Sequence, residues 1–265
     1  MSGRATGATA ALNAYSPFLF KLFARYLDRY FAANFTAVRV LKPGLPHLPA
    51  GRPPIFFSNH VSWWDPIFYV LIAARLLPGY RSFGPIDAAS LRKYRFLRRL
   101  GIFPVEQNTA RGAAQFLTTA RGLLAAPGTA LWITPQGRFA DSRERPIAFR
   151  PGLAHLARDV PDAVLVPVAL EYPFWSERRP EALFSFGPII DPRDHGDRTA
   201  AQWNALLEQR MIDQMERLAA AAIARDPERF DELVVGRARV SPAYDGWRWL
   251  RARVRGERFS AAHED

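Results

Sequence analysis

The chain has 265 residues, 49% of them hydrophobic and 23% charged, which suits a globular protein of one large or two small domains. With no cysteine, a disulfide framework, thiolate metal sites and a cysteine nucleophile are excluded, and the scattered His47, His60, His155, His195 and His263 form no zinc-binding spacing. The formal charge is +11 and only three of the 36 basic residues are lysine, which predicts an anionic partner, either nucleic acid or the phosphate layer of a membrane.

The N-terminus lacks the compact apolar stretch of a signal peptide, and no run is long and apolar enough to span a bilayer. A cytoplasmic protein without a transmembrane helix is therefore expected. Residues 16–35 read as an amphipathic helix, with Ser16-Pro17 as cap and first turn. At 100° per residue, Lys21, Arg25, Asp28 and Arg29 share one narrow face. Leu19, Leu22, Phe23, Tyr26, Leu27, Tyr30 and Phe31 fill the opposite half. An aromatic face backed by cations suits a helix lying in a membrane interface; the alternative is an ordinary helix packed on the core.

Short strand-like and helical stretches then alternate. Strands are predicted over 36–41, 54–58, 81–86, 102–105, 129–134, 164–170 and 183–190. Helices are predicted over 66–77, 88–100, 111–126 and 199–224, with a further helical run around His155. The alternation predicts an α/β fold: a single domain over 36–235 whose largely parallel mixed sheet is covered by helices. An N-terminal segment, 1–35, carries the amphipathic helix. Residues 236–265 form a Trp- and Arg-rich appendage with Trp247, Arg248, Trp249, Arg251, Arg253 and Arg255.

The most informative stretch is Ser58-Asn59-His60-Val61-Ser62-Trp63-Trp64-Asp65-Pro66, between a short apolar strand and an apolar helix. Catalytic groups gather on such loops at strand ends. Asp65-Pro66 suits an N-cap and first helical position, and a tight turn would bring the Asp65 carboxylate to the His60 ring. A carboxylate that fixes the tautomer of an imidazole makes it a general base for a substrate hydroxyl. Ser62 lacks an oxyanion signature and is not read as a nucleophile.

Asn59, His60 and Asp65 match the first block of the glycerolipid acyltransferases, Asn-His-x4-Asp, and the chain resembles that family from about 34 to 190. Gly101-Ile102-Phe103-Pro104-Val105-Glu106 resembles the second block, with Gln107 where an arginine is expected. Pro135-Gln136-Gly137-Arg138-Phe139 resembles the third, Pro-Glu-Gly-Thr-Arg. There Gln136 replaces the glutamate, and the arginine comes one position early. Phe149-Arg150-Pro151-Gly152 resembles the Phe-Lys-x-Gly that follows, and the 164–170 strand around Pro167 resembles the fourth block.

The resemblance implies transfer of an acyl group from coenzyme A or an acyl carrier protein to an acceptor hydroxyl. His60 would be the base, Asp65 its partner, and Asn59, Gly101, Gln107, Gln136, Gly137 and Arg138 would bind substrate. It implies no cofactor or metal ion; the thioester is a substrate. Partners are then a lipid acceptor, a membrane surface and an acyl carrier protein, on the inner face of the cell membrane. In the family, arginines of the second and third blocks bind the acceptor phosphate. Here Gln107 and Phe139 stand at those positions, which points to an acceptor without a phosphate monoester unless Arg138, Arg111 or Arg150 compensates.

Arg92, Lys93, Arg95, Arg98 and Arg99 would face an anionic head group, a carrier protein or coenzyme A phosphates. Backbone N–H groups near Gly137 or His60 would hold the oxyanion. Two other classes compete. A nucleic-acid-binding protein rests on charge alone, without a recognisable motif, so no nucleic-acid partner is expected. A non-catalytic lipid-binding protein on the same fold would explain the departures at Gln107, Gln136 and Phe139, against the intact His60/Asp65 pair.

Overall fold

The computed structural model describes residues 7–236; the appendage predicted over 236–265 lies, but for its first residue, outside them. Seven α-helices and eight strands follow in the order α1 (Gly7–Ala14), α2 (Pro17–Asn34), β1 (Ala37–Leu41), β2 (Pro54–Ser58), α3 (Asp65–Leu76), β3 (Arg81–Asp87), α4 (Ala88–Lys93), β4 (Ile102–Val105), α5 (Ala110–Leu124), β5 (Thr129–Ile133), α6 (Gly152–Asp159), β6 (Val164–Glu171), β7 (Ala182–Phe186), α7 (Ala200–Ala224) and β8 (Phe230–Val235).

The strands form one sheet in the order β4-β3-β5-β2-β6-β7-β1-β8. The run from β4 to β6 is parallel, as is β7 with β1; β6–β7 and β1–β8 are antiparallel. The predicted mixed, largely parallel α/β architecture is what forms. Helices cover both faces, which is why β2, β5 and β7 are buried along their whole lengths and read as apolar runs rather than alternating ones. Ile55 and Phe57 point into the layer under α1, α5, α6 and α7, with Leu123, Leu153, Leu207 and Met211. Phe56 points the other way, among Leu27, Phe31, Phe68 and Leu71 of α2 and α3.

Helix α2 starts where its cap predicts, with Ser16 Oγ accepting the Leu19 N–H. Its apolar half divides in two. Phe20, Ala24, Leu27 and Phe31, spaced by four, three and four, are buried against the sheet. Leu19, Leu22 and Tyr26 stay exposed, and Phe23 and Tyr30 are half-buried. Asp28 does not point freely to solvent; it holds Arg75 of α3 at 2.8 Å.

Three elements differ from expectation. The predicted 88–100 helix breaks at Tyr94 into α4 and a 3-10 turn, Arg95–Leu100. The predicted 183–190 strand ends at Phe186, and Ile190 makes only an isolated bridge to Leu165. The predicted cap at Asp65 moves one residue back: Trp64 is the N-cap and Asp65 lies in the first turn, its carboxylate engaged elsewhere. Helix α1 and strand β8 carry no sequence expectation at all.

Candidate active site

Because β2, β5 and β6 are parallel neighbours, the loops that leave their C-terminal ends meet at one edge of the sheet. The first supplies residues 59–65, the second 134–140, the third Tyr172. His60 Nδ1 lies 2.7 Å from Asp65 Oδ2. The same oxygen accepts the Ser62 N–H at 3.0 Å, and Oδ1 accepts the Tyr172 hydroxyl at 2.9 Å. Asp65 is fully buried, so as a carboxylate it needs these donors. Burial holds the Tyr172 hydroxyl well above its ordinary pKa, and the charge of Asp65 pushes it further, which keeps it a donor. Burial and Asp65 act in the same direction on Tyr69, whose hydroxyl pairs with Ser58 Oγ at 2.5 Å. As a carboxylate Asp65 can only accept, so His60 donates to it through Nδ1–H, and Nε2 is the ring nitrogen left outside the pair.

The 134–140 turn clamps the His60 backbone from both sides. Gln136 Oε1 accepts the His60 N–H at 3.0 Å, and the Ala140 N–H donates to His60 O at 2.8 Å. The Phe139 ring, largely exposed, lies 4.4 Å from the imidazole at 44°. Asn59 turns inward: its amide donates to Leu170 O at 3.0 Å and accepts the Leu170 N–H at 2.9 Å, tying the loop to β6.

The predicted substrate-binding residues are therefore not gathered in one place. Asn59 spends both side-chain polar atoms on the Leu170 backbone and Gln136 spends Oε1 on the His60 N–H, while Gln136 Nε2 makes no hydrogen bond among the described residues. Arg138 turns into an ion pair with Glu144, with Nη1 3.1 Å from Oε2. Gln107 is exposed beyond β4, the edge strand, three strands from β2 or roughly 14 Å across the sheet. Gly101 precedes β4 and so sits at the opposite end of the sheet; its φ is +92°, and a Cβ there would meet Ser82 O at 2.0 Å. That glycine is required by the backbone. Gly137 also has a left-handed φ of +65°. The N–H groups of His60, Ser62 and Gly137 are bonded to Gln136, Asp65 and Thr134, whereas those of Val61 and Phe139 make no hydrogen bond among the described residues. Tyr172 carries no sequence signal, being 107 residues from Asp65.

A family profile described as Acyltransferase matches residues 39–171, half of the chain, spanning every block of this site. The chain belongs to the acyltransferase family. Among solved structures, the acyltransferase is similar to the 1-acyl-sn-glycerophosphate (LPA) acyltransferase PlsC from Thermotoga maritima. The likeness covers 77% of this chain and 79% of that one, with a TM-score of 0.55 and 14% sequence identity. At that identity the likeness is one of fold. None of the curated proteins compared matches the acyltransferase.

Proposed function

We propose that this acyltransferase moves a fatty acyl group from a thioester of coenzyme A or an acyl carrier protein to a hydroxyl of a lipid. The observation that carries the reading is the His60–Asp65 contact at 2.7 Å, with Asp65 saturated by Ser62 and Tyr172. Nε2 of His60 takes the proton of the acceptor hydroxyl as its oxygen attacks the thioester carbonyl. The tetrahedral oxyanion is held by the free N–H groups of Val61 and Phe139. Its collapse breaks the C–S bond, and the departing thiolate takes the proton back from the imidazolium. The Asp65 carboxylate stabilises that imidazolium. No covalent acyl-enzyme and no resident cofactor enter the scheme.

The acceptor is proposed to lack a phosphate monoester. Beside the imidazole stands Phe139 rather than a cation, and the neighbouring Arg138 is turned to Glu144. Delivery is proposed to occur at an anionic membrane surface, on the inner face of the cell membrane. Leu19, Leu22, Phe23, Tyr26 and Phe96 line a groove of about 460 Å³ with Arg25, Arg29 and Arg99 beside them. Arg92, Lys93, Arg95 and Arg98 are exposed next to it and make no ion pair among the described residues. Ring contacts run from Phe96 through Phe23, Tyr26, Tyr30 and Trp64 to the exposed Trp63 of the site loop, each step between 5.6 and 6.1 Å. Aromatic tips and cations on one surface suit the headgroup layer. Among the described residues no helix is long and apolar enough to cross a membrane.

The decisive test is purified His60→Ala. Turnover should fall by about 10²–10⁴, the usual worth of a positioned general base, with the thermal midpoint retained. Near-normal turnover overturns the assignment.

A further inference from the structure

Arg150 differs from the other arginines of the loop between β5 and α6 in being seated on Gly137; Arg145 is also without an ion pair among the described residues, but it bonds only the Ser142 and Glu144 oxygens of its own turn. Arg138 is engaged by Glu144 and Arg143 by Asp141. Arg150 makes no ion pair among the described residues, and its side chain is exposed. What holds it is backbone. Its N–H donates to Pro135 O at 2.8 Å, and its guanidinium lies against Gly137, with Nη2 3.5 Å from the Gly137 oxygen. A Cβ on Gly137 would come within 2.4 Å of Nε and 2.8 Å of Cδ and Cζ. The glycine therefore does two things: it takes the left-handed turn, and it leaves a flat seat for the guanidinium. Gly137 directly follows Gln136, which holds the His60 N–H, so the seat is one residue from the clamp on the base.

An arginine fixed by peptide groups keeps its full charge and most of its five N–H donors for something else. We infer that Arg150 is the phosphate-binding residue of the active site, gripping a phosphate ester of a substrate through a charge-assisted fork. Two substrates can bring such a group: the acyl donor, through coenzyme A or the phosphopantetheine of a carrier protein, and a phosphorylated acceptor. Since the proposed acceptor lacks a phosphate monoester, the donor is the expected source. The inference rests on the acyltransferase reading for its meaning, and on Arg150 alone for its test.

The experiment is a two-by-two substrate matrix on the full-length enzyme and on Arg150→Met, Arg150→Gln and Arg150→Lys. The donors are palmitoyl-coenzyme A and palmitoyl-pantetheine, which has no phosphate. The acceptors are lysophosphatidic acid and monoacylglycerol of the same chain. Calorimetric binding of coenzyme A alone is measured alongside, so that the site is judged without turnover. Loss of a charge-assisted contact should raise KM for palmitoyl-coenzyme A about ten- to a hundredfold and move kcat much less. Arg150→Lys should recover part of the loss, and the penalty should vanish with palmitoyl-pantetheine. A penalty that instead disappears with monoacylglycerol keeps Arg150 as a phosphate ligand but defeats the phosphate-free acceptor. An equal penalty on all four pairs, or none, with coenzyme A affinity unchanged, overturns the inference. If the unmodified enzyme turns over no pair while its coenzyme A affinity still depends on Arg150, the phosphate site stands and neither of these two lipids is the acceptor.

Discussion

Gln136 accepts the backbone N–H of His60 at 3.0 Å across 76 residues of sequence, so the side chain of the turn after β5 sets the position of the imidazole on the loop after β2. Gln136 is itself almost fully buried. Replacing it with leucine leaves the His60 N–H without a partner, at a cost of about 1–3 kcal/mol. A displaced base costs more in rate than in binding: kcat should fall roughly ten- to a hundredfold with KM little changed. Gln136→Glu keeps an oxygen acceptor in the same place and should retain most of kcat. Steady-state kinetics on the two variants, with thermal midpoints beside them, check both halves. Equal damage from Leu and Glu would deny the clamp.

The carboxylate partner should prove as sensitive as the base. Asp65→Asn removes the charge that favours the imidazolium and offers an amide hydrogen to Nδ1, which rewards the wrong tautomer. Turnover should drop by about 10²–10⁴. Tyr172→Phe is milder, because the Ser62 N–H remains on Asp65. It leaves Oδ1 without its hydroxyl donor, about 1–3 kcal/mol, and should reduce kcat roughly tenfold. A Tyr172→Phe enzyme slower than Asp65→Asn would reverse this order of roles.

The sheet was legible because both faces are covered. The stretches that became β2, β5 and β6 are nearly continuous apolar runs bounded by Pro and Gly, and such runs have few other homes. Helix α1 was not legible for the opposite reason. It packs on α5 through small residues, Gly7 beside Thr119 and Ala8 beside Gly122, and leaves no large apolar stripe to see. Strand β8 is an edge strand that buries Phe230 and Val234 but exposes Asp231 and Glu232, so its alternation is broken. At the site, His60 and Asp65 were visible because only four residues of chain separate them. Tyr172 and the Gln136–His60 bond were not, because tertiary folding alone brings them there. The same limit applies to arginine: sequence shows that several are near a motif, and only packing shows that Glu144 has taken Arg138 while Arg150 is free of acids.

The division of α2 into a buried and an exposed apolar face gives two classes of substitution with opposite outcomes. Replacing Leu19, Leu22 and Tyr26 with serine alters only exposed side chains. It should release the protein from anionic vesicles, measured by co-sedimentation, with little change in thermal midpoint. Leu27→Ala opens the core beneath the helix and should cost about 2–5 kcal/mol, with vesicle affinity per folded molecule preserved. Binding of the unsubstituted protein should weaken as salt rises, because exposed cations beside the groove supply part of the attraction. Unchanged vesicle binding in the triple variant would place the membrane contact elsewhere.

The proposed acceptor follows from what stands beside the imidazole. Phe139 lies 4.4 Å from the His60 ring, where a guanidinium would meet a phosphate carried close to the reacting hydroxyl. An aromatic face gives contact area and no charge, and Arg138 is turned to Glu144. Losing a charge-assisted bond to a phosphate monoester costs about 1.5–3 kcal/mol, or ten- to a hundredfold in affinity. In a panel with matched acyl chains, lipids with a sugar, amino-acid or other uncharged polar head should therefore exceed lysophosphatidic acid in kcat/KM. Phe139→Arg should shift the ratio toward lysophosphatidic acid by about tenfold, because the new fork would lie on the imidazole side of the turn. The gain should shrink at high salt, as a partly exposed ion pair does. If lysophosphatidic acid is already the best acceptor of the unmodified enzyme by tenfold or more, the phosphate has found another cation and the aromatic wall does not set acceptor choice. Repeating the panel with Arg150→Met would then show whether Arg150 is that cation, since the preference should collapse with the arginine.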